Sequence, residues 1–146
     1  MQSGRKPAMK RRENKAVEET YTEFKAKWRA GERERELALH LLFLAWMHWA
    51  DPPFVTNLNA DEEAISLWFE VFAFFGAEAS SDAEFLYVAA IMATITPCEL
   101  GGESHWGPRI ELLKSRSRQL RPAGFGPEAF AARGDYGNYF AHQSRQ

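Results

Sequence analysis

Apolar positions recur along this chain with the spacing of helices, and no segment alternates convincingly with a period of two. Across Ala16–Ala30, the residues Val17, Tyr21, Phe24 and Trp28 return every three or four positions among charges. That pattern predicts an amphipathic helix with one narrow buried stripe. Gly31 interrupts it, at about 1 kcal/mol in a helix interior, so the chain bends there or runs through. Leu37–Ala50 is apolar on every side of the cylinder, and Asp51-Pro52-Pro53 must end it, because proline lacks a donor and disfavours helical geometry before it.

Asn59 and Glu62 have the spacing of a capping box and predict a helix over Ala60–Phe75. Ile65, Trp68, Phe69, Phe72 and Phe75 form one of its faces, Leu67, Val71 and Phe74 another, and Gly76 suits the C-cap. Ser81 with Glu84 predicts a second start, for Asp82–Thr96, stopped by Pro97. After a loop over Cys98–Gly107, Pro108 suits the first turn of a helix reaching about Leu120, with Ile110, Leu113 and Leu120 inward. The remainder is rich in Gly and aromatics, with one helical turn expected at Pro127–Arg133.

Three helices that are apolar all round must be central, with the first and last as covers. The expected fold is therefore all-α: a compact five- to six-helix globule of packed helical hairpins, with no sheet and partly flexible termini. Residues 1–15 read as a basic arm, 16–120 as a single helical domain, and 121–146 as a Gly/aromatic-rich tail. No fixed-period repeat is present.

Composition supports this picture. The chain has 146 residues, 45% of them hydrophobic, with eleven Phe and five Trp, enough for a core in one domain. One cysteine, Cys98, excludes an intramolecular disulfide and fits a reducing compartment. The basic start is not followed by an apolar run, so no signal peptide is expected. Leu37–Ala50 is too short for a membrane span, which takes about twenty residues. A soluble, cytoplasmic protein is the expectation.

Charge alters the picture more. Residues 1–36 hold eleven Lys or Arg against seven carboxylates, 37–106 none against ten, and 107–146 seven against three. The net −2 hides basic flanks around an acidic, apolar middle.

Three functional readings follow. The first is a non-enzymatic helical protein-interaction module, self-associating as a homodimer. It would bind through an apolar groove with Trp46, Trp49, Trp68 and Phe72 as anchors and Asp51, Glu70 and Glu78 as an acidic rim. The second is a nucleic-acid-associated regulator using Arg5, Lys6, Lys10, Arg11, Arg12 and Lys15 with Lys114, Arg116, Arg118 and Arg121. No aromatic is interleaved with the first cluster to stack on bases. The basic flanks could also meet the chain's own acidic middle.

The third reading is a thiol- or metal-dependent enzyme around Cys98, His105 and His40, with Glu36 one turn before His40. It lacks an orienting group, oxyanion donors and enough ligands, and the HExxH spacing is absent. No cofactor or metal is therefore expected. Asp61-Glu62-Glu63 reads as a helix N-terminus favoured by the dipole. Phe125, Phe130, Tyr136, Tyr139 and Phe140 suit either docking to a partner or covering an apolar seam of the same fold.

Overall fold

The computed structural model describes residues 11–50, 58–96, 100 and 102–145, except the side chains at 11–14 and 103. All regular structure in these residues is helical: α1 (Arg11–Arg29), α2 (Arg35–Ala50), α3 (Ala64–Phe74), α4 (Ala83–Ile95), α5 (Glu103–Leu120) and α6 (Gly134–Gln143). Short 3-10 turns occupy Ala77–Ala79 and Pro127–Phe130. The all-α class is as the apolar periodicity predicts. No described helix is long and apolar enough to cross a membrane. The chain divides into two compact units, Met1–Trp68 and Phe69–Gln146.

In the first unit α1 packs on α2. Val17, Tyr21 and Trp28 are buried as the stripe predicts, while Phe24 is half-buried. The helix does not run through Gly31. That residue takes φ +101°, and the amides of Gly31 and Glu32 donate back to the carbonyls of Trp28 and Lys27. The Arg33 guanidinium then lies 3.7 Å from the centre of the Trp28 ring and donates to the Trp28 carbonyl at 2.8 Å. In α2 every residue from Leu37 to His48 is buried except the half-buried His40, so the helix has no solvent face. The Asp51-Pro52-Pro53 stop lies outside the described residues.

The start of α3 differs from the sequence expectation. Asp61, not Asn59, organises it. Its Oδ1 accepts from the Glu63 amide at 3.0 Å and its carbonyl from the Ala64 amide at 3.1 Å. The Asn59 amide donates instead to the Glu18 carboxylate.

In the second unit α4 begins one residue later than expected, because Asp82 accepts from the Phe85 amide at 3.1 Å. Gly76 closes α3 at φ +100°. The start of α5 is the larger correction: it opens at Glu103, leaving Pro108 inside the helix rather than in its first turn. Trp106 explains why. Its ring is fully buried, its indole N–H donates to the Leu100 carbonyl at 2.7 Å, and its amide to the Gly102 carbonyl at 3.0 Å. Burying that ring offsets the bond lost at Pro108. Leu113 is buried, but Leu120 is 39% exposed and not inward.

Helices α4 and α5 pack together and run antiparallel. The Ser117 hydroxyl donates to the Ala83 carbonyl at 3.0 Å and Arg116 Nε to the Ser80 carbonyl at 3.1 Å, which puts the late part of α5 beside the start of α4. The segment after residue 120 carries a helix that the sequence pattern did not predict, α6. Phe130, Tyr136 and Phe140 are buried there, so these aromatics cover an apolar seam. The Tyr136 hydroxyl donates to the buried Glu84 carboxylate at 2.5 Å, and Arg133 pairs with the same oxygen at 2.8 Å.

Candidate functional site

The aromatic anchors expected at a partner groove are core residues. Trp46, Trp68 and Phe72 are at most 3% exposed, so they offer no surface to a partner. Trp49 is half-buried and meets Trp68 edge-on at 6.0 Å. Of the expected acidic rim, Asp51 lies outside the described residues, Glu70 is exposed, and Glu78 is held by Arg109. That hydrogen bond from Arg109 keeps the Glu78 carboxyl below its ordinary range.

Of the residues proposed for catalysis, His40, His105 and Glu36 are among the described residues. Cys98 lies outside the described residues. His105 is exposed in the first turn of α5, with Nε2 at 3.4 Å from Arg109 Nη1. His40 Nε2 and Glu36 Oε2 are 3.2 Å apart, one helical turn from each other on α2. Among the described residues no three His, Cys, Asp or Glu side chains group closely enough to share a metal.

A polar cluster missed in the sequence joins α1, α2 and the approach to α3. His48 stacks on Tyr21 with ring centres 3.9 Å apart. Its Nδ1 lies 2.7 Å from the Leu44 carbonyl and its Nε2 3.0 Å from Glu18 Oε1. His48 is buried, and both its ring nitrogens face acceptors of the same unit. The Tyr21 hydroxyl donates to Asp61 Oδ2 at 2.5 Å, and Lys25 reaches the same oxygen at 2.9 Å.

Burial and the Asp61 bond push the Tyr21 phenol far up. Partial burial alone would raise Asp61, but the bonds from Tyr21, Lys25 and the Glu63 amide outweigh it and bring the carboxyl down to about 2. This cluster fastens the first unit together. Its groups bond one another.

A feature with capacity for a ligand lies in the second unit. A half-open groove of about 510 Å³ lies over the exposed face of α4. Tyr87, Ala90, Ile91, Thr94 and Ile95, spaced at three and four along α4, form its floor, and Phe125 closes one side. The Tyr87 ring sits 4.9 Å from Phe125 and 6.1 Å from Phe130, and burial pushes its phenol up. The Thr94 hydroxyl donates to the Ala90 carbonyl at 2.7 Å, so it asks no polar partner of the groove.

Three exposed cations of α5 and its C-cap rim it: Lys114, Arg118 and Arg121. No carboxylate lines it among the described residues. The rim of this groove is basic, and none of the residues of the acid-rimmed groove expected from the sequence lines it. Arg116, grouped with these cations by sequence, is half-buried and bonded to the Ser80 carbonyl. Lys15 is exposed on α1; Arg5, Lys6 and Lys10 lie outside the described residues, as do the side chains of Arg11 and Arg12. The groove was legible only as a surplus of apolar faces on Asp82–Thr96 and a cation run at 114–121.

Compared with protein-family models, with curated proteins and with solved structures, the chain shows no significant match to any.

Proposed function

We propose that this protein is a non-enzymatic helical binding module whose ligand enters the groove of the second unit and is apolar with negative charge. The observation that carries the reading is the groove itself: an apolar floor of about 510 Å³ edged by Lys114, Arg118 and Arg121 and by no carboxylate. Sites for small molecules have this size and make-up, largely apolar with a few polar groups that fix orientation. Apolar surface on the floor supplies affinity, and the cations select the sign of charge.

A neutral, environment-sensitive naphthylamine dye tests the floor. The protein should bind it saturably, one per chain, with enhanced emission. Ile95→Glu changes a residue already 48% exposed and should abolish that emission without loss of helix. Undiminished dye binding by this variant would refute the groove.

A further inference from the structure

We infer that the groove holds a single-chain amphiphilic carboxylate, a medium-chain fatty acid, with its head among Arg118, Arg121 and Lys114 and its tail along Ile91–Ile95. This rests on the binding reading above and assigns its ligand.

The direction of the groove decides the class. Because α4 and α5 are antiparallel and Ser117 meets Ala83, the cations at 114–121 lie beside the early turns of α4. Ile91, Thr94 and Ile95 occupy its last turns. From Tyr87 to Ile95 the helix rises about 12 Å. Charge gathers at one end of this length and apolar surface at the other. An acidic helix would want cations along the whole groove, and a nucleic acid would want phosphate contacts without a greasy floor. A molecule with one charged head and one apolar tail matches both ends.

The head end is also prepared. The exposed Arg118 side chain has no hydrogen bond or ion pair among the described residues. Arg121 Nε donates to the Gly124 carbonyl at 2.9 Å and its guanidinium stacks 4.3 Å from the Phe125 ring centre, which holds the fork at the mouth. Lys114 leans toward Glu111 at 3.7 Å, a weaker commitment at the surface.

The test compares dodecanoate with dodecanol by calorimetry on the full chain, below the micellar concentration. The tails are the same, so only the head differs. Dodecanoate should bind one per chain and about tenfold or more tighter, the increment expected of a charge-assisted hydrogen bond. In Arg118→Gln, and further in Arg118→Gln/Arg121→Gln, that advantage should shrink toward unity while dodecanol affinity stays put.

Equal affinity for the two overturns the carboxylate head. Binding of neither, by protein that still binds the neutral dye, overturns the amphiphile and leaves the groove reading intact. Failure of the dye as well removes the reading underneath. Uptake of several dodecanoates that survives Ile95→Glu also overturns the inference, as does an acidic amphipathic peptide that binds where dodecanoate does not.

Discussion

Gly137 shows how much of the second unit depends on a missing methyl group. A Cβ there would run into the Phe130 carbonyl and lie 2.7 Å from Arg133 Cβ, both on the chain that leads into α6. By helix propensity alone, Gly137→Ala in α6 should stabilise by about 1 kcal/mol. The close approach reverses the sign, since forced overpacking costs roughly 1–3 kcal/mol. We expect Gly137→Ala to lower the urea midpoint, with the slope unchanged; a higher midpoint would show that the backbone yields. The same scale explains why the sequence misplaced several caps. Asn59 and Asp61 are both competent cap residues, and only the partners Tyr21 and Lys25, far away in sequence, select Asp61. Local spacing could not reveal that choice.

At the scale of elements, helices with strong apolar periodicity were legible: α2, α3 and α4 lie inside or within two residues of their expected spans, while α1 starts at Arg11, five residues ahead of Ala16 and inside the segment read as a basic arm. The misses share a cause. Gly134 and Gly137 argue against helix at α6, and Pro108 argues against an earlier start for α5, yet both helices form because they bury aromatics. Tertiary burial overrode propensity. Docking of α6 rests on Glu84, which is 9% exposed and shared by Tyr136 and Arg133. Removing the Tyr136 hydroxyl deletes a hydrogen bond to a buried charged group, a loss of about 1.5–3 kcal/mol. Tyr136→Phe should therefore lower stability by about 2 kcal/mol and increase amide exchange in α6 more than in α4. Equal loss of protection in both helices would mean α6 is not a separable element. The groove was the least legible feature, because it exists only where α4 keeps a face that α5 leaves open.

Across the whole molecule, the segregation of charge along the chain is in part resolved within each unit. Lys25 and Arg29 of the basic first segment pair with Asp61 and Glu63, and Arg109 and Arg133 of the basic last segment pair with Glu78 and Glu84. Four carboxylates of the acidic middle are therefore held by the flanks, and Lys114, Arg118 and Arg121 are not among the cations that hold them. The pairing makes a prediction about acid. Asp61 falls to about 2, while Glu63, through its bond from Lys25, and Glu78, through its bond from Arg109, also lie below their ordinary values. A carboxyl lowered on folding contributes stability that is present above its unfolded value, about 4, and lost as pH falls through the folded value. For Asp61 that window runs from about pH 4 down to pH 2, and solvent screening at this partly open site cuts its contribution to about 1 kcal/mol. The urea midpoint should hold steady between about pH 7 and 5 as far as these groups are concerned, then decline toward pH 2. Lys25→Met removes the cation shared by Asp61 and Glu63, so it should lower the midpoint at pH 7 and flatten the decline below pH 4. A decline as steep in Lys25→Met as in the parent chain would show that acid acts through other carboxylates, and that the Tyr21–Asp61–Lys25 cluster contributes little to holding the first unit.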